Sequence, residues 1–283
     1  MAGKHGSLIH QARQALGKLY GRTHGEKSTK ALQSSLKTIT THLKITHGLE
    51  RLENIKPHMV TNFFQARMEA GISPSQLGKD ATAFRLIAER IGKQNIISRG
   101  NKDLGFTRSK DDRMQPKALD HTAAAGIRAQ LAERYERTGL PEDKVLVAAF
   151  DLRAAFGLRA EESLTAQANG GKLDVVGKGG RFRTLPAVTP QQKTALSQLR
   201  SVSKAIGNVN GKLIPPEMSK KQIYDHQRNT IRACNGTKAA NCNMHISRHD
   251  FAQREKAAGT SDKQLSKLLG HGREKVVSHY VPQ

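Results

Sequence analysis

Tryptophan is absent from this chain and aromatic residues make up only 4% of it, too few for a protein that grips unpaired bases on stacking platforms. Cysteine is nearly absent too. Cys234 and Cys242 lie eight apart with no further Cys or His at zinc spacing, so a reduced pair is expected and neither a disulfide framework nor a zinc site is. No apolar run approaches the ~20 residues that cross a bilayer, and the opening Met1-Ala2-Gly3-Lys4-His5-Gly6 has no apolar signal core. These absences predict a cytoplasmic protein with no membrane partner. Acidic residues are outnumbered: 24 Asp and Glu stand against 47 Lys and Arg, a net charge of +23 spread over both halves. Solubility asks for a net charge of only about 2 to 8 in a small domain. The excess therefore predicts a polyanionic partner, and the scarcity of aromatics directs that expectation to the backbone of duplex DNA.

What is present is enough for two domains. The 283 residues are 36% hydrophobic, sufficient for separate cores without covalent staples. Apolar residues recur at helical spacing through Leu8, Ala12, Ala15, Leu16 and Leu19, and again through Leu32, Leu36, Ile39, Leu43 and Ile45. Pro57 opens a third helical stretch, ended by Gly71, and Ser73-Pro74 a fourth that runs to Gly92. Residues 1–98 thus read as a small all-helical domain. Residues 99–118 are charged, broken by Gly and Pro, and lack apolar period, which predicts a linker. Helices are expected again near 119–137 and 143–156. Two β runs follow, 172–176 and 181–188, around Gly177-Lys178-Gly179-Gly180, the pattern of a hairpin. Further helices are expected at 190–205, 218–234 and 246–258, after a Ser261–Gln264 capping box, and at 273–280. The expected class is mainly α with a small β-hairpin or sheet, the second domain spanning 119–283.

Chemistry concentrates in that second domain. Arg159, in Gly157-Leu158-Arg159-Ala160-Glu161-Glu162, has Glu162 three residues later to hold its orientation. His245 and Arg248, in His245-Ile246-Ser247-Arg248, project from one face if a helix starts there. His271 follows in Leu268-Leu269-Gly270-His271, and Tyr280 comes nine residues later. Phosphoryl transfer gathers negative charge on non-bridging oxygens, which a planar guanidinium grips bidentately where Lys offers a point charge. Two convergent arginines can neutralise that charge without a metal. A phenol, with an ordinary pKa of about 10, needs a base or a strong positive field to attack. Lys178, between glycines, can reach into a cleft and give a proton to a departing oxygen. The hairpin is not a nucleotide loop, because it lacks the Gly-Lys-Ser/Thr ending and the strand-to-helix context.

Taken in order, Gly-Leu-Arg-x-x-Glu, Gly-Lys-Gly, His-x-x-Arg, Leu-Gly-His and a final Tyr resemble the tyrosine recombinase (integrase) family, with spacing close to Xer-type members. The specific motifs cover residues 116–280, and the helical N-terminal domain is similar to the family's core-binding domain. The resemblance implies a site-specific DNA recombinase needing no cofactor or metal. Tyr280 would attack the scissile phosphate and leave a 3′-phosphotyrosyl link. Arg159 and Arg248 would clamp the phosphate, Lys178 would protonate the 5′-oxygen, His245 would serve as base, and His271 would donate to a non-bridging oxygen. It further implies a clamp on double-stranded DNA, a homotetramer joining two sites through a Holliday junction, and accessory DNA-bending proteins as candidate partners. Only Val281, Pro282 and Gln283 follow Tyr280, so coupling of subunits by a C-terminal helix is not expected, nor is an arm-binding domain. Two alternatives carry their own signatures: a type IB topoisomerase would relax a plasmid with no specific site, and a silent architectural binder would form no covalent complex.

Overall fold

The computed structural model describes residues 6–17, 26–107, 118–234, 243–271 and 274–281. The chain divides into two compact units, Met1–Lys110 and Asp111–Gln283. Among the described residues, no helix is long and apolar enough to cross a membrane.

The first unit is helical. It holds α1 (Leu8–Leu16), α2 (Glu26–His47), α3 (Pro57–Glu69) and α4 (Pro74–Arg90). Proline opens both α3 and α4, in the first turn, where a missing N–H breaks no intrahelical bond. Leu32, Leu36, Ile39 and Leu43 line the buried side of α2, as their three-to-four spacing dictates. They meet Phe63, Phe64 and Phe84, with the Phe63 and Phe84 rings edge to face at 5.1 Å. Asp80 is buried there and held by Ser35 Oγ (2.6 Å), Gln76 Nε2 (3.0 Å) and an ion pair with Arg67 (2.9 Å), as a desolvated carboxylate requires. Residues 99–107, read from the sequence as the start of a linker, fold back onto this core. Phe106 is buried with its ring 5.2 Å from Phe64, and Arg85 donates to the Ser98 carbonyl and Asn101 Oδ1. Positions 108–117 of that stretch lie outside the described residues.

The second unit is built around one helix. It contains α5 (His121–Thr138), α6 (Pro141–Phe156), α7 (Ala160–Thr165), β1 (Gln167–Asn169), β2 (Lys172–Val176), β3 (Phe182–Pro186), α8 (Pro190–Ala205), α9 (Lys220–Ala233), α10 (Ile246–Ala257), α11 (Asp262–Leu268) and a 3₁₀ segment, Glu274–His279. Val145, Leu146, Ala148, Ala149, Leu152 and Phe156 of α6 are all buried, so it is apolar nearly all round and takes the centre. Helices α5, α7, α8 and α10 pack against it. Thr189, Ser219 and Ser261 each cap a helix through reciprocal bonds with a Gln three residues on.

The expectation of a mainly helical chain with a small sheet holds, and the sheet is larger than a hairpin. Its order is β1-β2-β3, all antiparallel, with Leu173 opposite Leu185 and Val175 opposite Arg183. β1, Gln-Ala-Asn, is too short and polar to show an alternation, and α7 is a six-residue helix whose pattern is equally brief. The last segment is 3₁₀ rather than α. Cys234 carries a free thiol after α9, while Cys242 is outside the described residues.

Candidate active site

Two glycine turns and two short helices bring distant side chains together in the second unit. Gly157 ends α6 with φ +63°, and a Cβ there would lie 2.4 Å from Phe251 of α10. Only glycine allows both that backbone and that approach. Its carbonyl accepts from Arg248 Nη1 at 2.8 Å, which pins the start of α10 to the α6–α7 turn. Arg159 then sits at the N-cap of α7. Its backbone N–H donates to Glu162 Oε2 (2.9 Å) and its Nη1 to Glu162 Oε1 (2.7 Å).

Glu162 is the negative hub. Its side chain is 4% exposed and also accepts from Arg183 Nη2 at 2.8 Å, with Arg248 Nη1 3.8 Å away. Burial would raise this carboxyl, yet hydrogen bonds and charge from Arg183, then Arg159, hold it at about 2.

Arg248 has no exposed surface. Besides Gly157 it donates from Nε to Tyr280 Oη (3.3 Å), from Nη2 to the Leu269 carbonyl, and from Nη2 toward His271 Nε2 (3.1 Å). Because an arginine cannot accept, His271 Nε2 receives that bond and its proton belongs on Nδ1. Burial, then the positive charges of Arg248, Arg159 and Arg183, against an opposing pull from Glu162, push His271 down to about 4. His245 is lowered as well, by burial, then Arg248 and Arg159, with Glu162 again opposing. Both imidazoles are therefore neutral near pH 7 and able to accept protons.

Tyr280 is 6% exposed at the end of the 3₁₀ segment. Its ring lies 5.3 Å from His271, 6.2 Å from His245 and 4.7 Å from His249. Arg159, His245, Arg248, His271 and Tyr280 thus share one neighbourhood. Lys178 does not join them: it stands exposed on the β2–β3 turn, which Gly177 and Gly180 close through bonds to the Arg181 and Gly177 carbonyls.

The sequence reading missed Arg183 and His249. Arg183 had a findable signal: strand alternation puts it on the same face as the buried Leu185, opposite Val175, where an arginine needs an anionic partner. His249 follows Arg248 directly, and nothing in its spacing separates it from a surface histidine on a basic helix.

The second unit is mostly helical with a three-stranded antiparallel sheet, and it gathers arginines, histidines and a tyrosine around the buried Glu162. Residues 118–254 match the family model described as Integrase. Solved structures are similar across nearly all of the chain. A lambda integrase tetramer bound to a Holliday junction shares 17% identity at a TM-score of 0.70, over 96% of this chain and 77% of that one. The XerH site-specific recombinase bound to palindromic difH substrate, a post-cleavage complex, shares 16% at 0.66, over 96% and 80%. The Tn1549 transposon integrase in complex with transposon right end DNA shares 12% at 0.58, over 98% and 94%. At these identities the likeness is one of fold. No curated protein matches the sequence.

Proposed function

We propose that this chain is a site-specific DNA recombinase that cuts and rejoins duplex DNA through a 3′-phosphotyrosyl intermediate and a Holliday junction. The observation that carries the reading is the convergence of Arg159, Arg248, His245, His271 and Tyr280, far apart in sequence, around Glu162 in the unit that matches the integrase model. The net charge of +23 suits a phosphate backbone. The fold shared with a tetramer on a Holliday junction and with a post-cleavage DNA complex supports the same chemistry.

In this scheme Tyr280 Oη attacks the scissile phosphorus and its proton passes to a neutral imidazole, His245. The new P–O bond to tyrosine forms as the bond to the 5′-oxygen breaks, and Lys178 delivers a proton to that leaving oxygen. Arg159 and Arg248 neutralise charge on the non-bridging oxygens, and His271 donates a further hydrogen bond. The phosphotyrosyl ester conserves the bond energy for rejoining by the reverse steps. Residues 1–98, with residues 99–107 folded onto them, serve as the core-binding domain and 119–283 as the catalytic domain. Four copies act on two DNA sites, for integration and excision or for resolution of joined molecules.

One physical demand follows from the resting geometry. Arg248 is fully buried and its donors face Tyr280, His271 and two carbonyls. A phosphate reaches its Nε only when the Tyr280 hydroxyl gives way, so DNA engagement and displacement of the phenol are coupled.

The test is covalent trapping on genomic DNA from the source cell, denatured with detergent before analysis. Wild-type protein should yield DNA-linked protein. Tyr280→Phe should bind DNA with unchanged affinity and yield none, and an adduct that survives Tyr280→Phe would overturn the assignment of the nucleophile.

A further inference from the structure

We propose that Arg183 is a positioning residue that locks the Lys178 hairpin, the arginine pair and the His271 turn into one arrangement. For the identity of the ligand this rests on the recombinase reading; the packing it describes does not.

Arg183 touches all three parts at once. It lies on β3, one residue beyond the pair Val176–Phe182 that closes the Lys178 turn. Its Nη2 donates to Glu162 Oε2 at 2.8 Å, its Nη1 stands 3.5 Å from Glu162 Oε1, and its Nε donates to the Leu268 carbonyl at 3.1 Å, at the end of α11. Its side chain is 10% exposed. Glycines border the guanidinium on two sides. A Cβ at Gly270 would come within 2.6 Å of Nη1, and one at Gly177 within 3.1 Å of the same atom and 3.2 Å of Glu162 Oε1. Gly177 is the residue before Lys178, and Gly270 the residue before His271. The backbone that presents each of these side chains is therefore seated against the same guanidinium.

The division of labour among the arginines follows from their partners. Among the described hydrogen bonds, the Arg159 side chain uses only Nη1, toward Glu162, and 27% of it remains exposed, so it keeps donors for a ligand. Arg183 turns its donors inward to a carboxylate and a carbonyl. A planar fork is the side chain suited to this, because two parallel bonds to Glu162 fix the carboxylate plane while Nε reaches the carbonyl. Lysine retains the charge but not the three directions. Glu162 held by Arg183 in turn holds both the backbone and the guanidinium of Arg159.

Removing the fork should misplace the phosphate clamp without removing any group that touches the phosphate. A displacement of about 1 Å in such a site costs about 100-fold in rate. Arg183 is among the groups that lower both Glu162 and His271, so its loss also changes how these two titrate.

Two readouts are taken on Arg183→Gln and Arg183→Lys. The first is single-turnover formation of the covalent DNA adduct. Arg183→Gln should slow it about 100-fold, with DNA affinity within threefold of wild type, and Arg183→Lys should recover less than a tenth of the lost rate. The second needs no DNA: the His271 imidazole is titrated by NMR in histidine-labelled protein. Its midpoint, about 4 in the wild type with Arg183 among the causes, should rise in Arg183→Gln. An adduct rate within threefold of wild type in Arg183→Gln, or an unmoved His271 midpoint, would overturn the proposal. Should Arg183→Gln not fold, Arg183→Lys carries the same two tests, and a wild-type rate in it refutes the need for the fork. A wild-type protein that forms no adduct while the His271 midpoint shifts as expected would sink the recombinase reading and leave the positioning role standing.

Discussion

Replacing Glu162 by glutamine keeps the shape of the hub and removes its charge. The carboxylate is 4% exposed and is shared by Arg159, Arg183 and Arg248 at 2.7, 2.8 and 3.8 Å. Its pKa falls from 4.5 to about 2 on folding, and at ~1.4 kcal/mol per unit this is about 3 kcal/mol of stability near neutral pH. Loss of one partner from a buried ion network costs a similar amount, about 3 to 5 kcal/mol. The sign follows from a depressed carboxyl: the contribution is complete above pH 4.5 and disappears as pH falls from 4.5 toward 2. Urea unfolding of wild type and Glu162→Gln should therefore differ by about 3 kcal/mol at pH 6, and the gap should narrow at pH 4 and again at pH 3. In a melting experiment the same loss lowers Tm of the second unit by roughly 6–12 °C. A difference below ~1 kcal/mol at pH 6, or one that stays constant down to pH 3, would refute the hub.

Other consequences are as direct. Gly157→Ala combines a left-handed backbone with a Cβ 2.4 Å from Phe251 and should destabilise by about 2–4 kcal/mol in urea unfolding. Gly139→Ala, with φ +64° but open space around its Cβ, should cost only about 1 kcal/mol; equal costs would refute the packing argument. His271→Gln should flatten the fall in stability between pH 6.5 and 4, because an imidazole depressed to about 4 in the fold takes up protons preferentially in the unfolded chain across that window. Lys178→Ala, exposed and outside the buried cluster, should leave melting unchanged while slowing adduct formation on ordinary duplex by about 100- to 10,000-fold. A duplex bearing a 5′-thiol leaving group, which needs no proton, should restore most of that rate.

Much of this was legible in the residues, and the remainder failed for identifiable reasons. Helices of the first unit follow from the spacing of Leu32, Leu36, Ile39 and Leu43, since burial of one face leaves a periodic trace. β1 and α7 are too brief to leave one. Phe106 decided the fate of residues 99–107 against a charged surrounding, because a single buried ring outweighs solvated neighbours. In the site, Arg159, His245, Arg248, His271 and Tyr280 stood out by motif. Their burial did not: a sequence shows that Arg248 is an arginine, not that it lies fully enclosed against Tyr280. Arg183 was visible in principle as a cation on the inward face of a strand, but only once the register with Val175 is known.

The most direct trial of the account is to digest the trapped protein–DNA complex with protease and nuclease and locate the modified residue by mass spectrometry. A nucleotide joined through its 3′-phosphate to Tyr280, and absent from Tyr20, Tyr135 and Tyr224, is the predicted result. Attachment at any other residue, or through a 5′-phosphate, would contradict it.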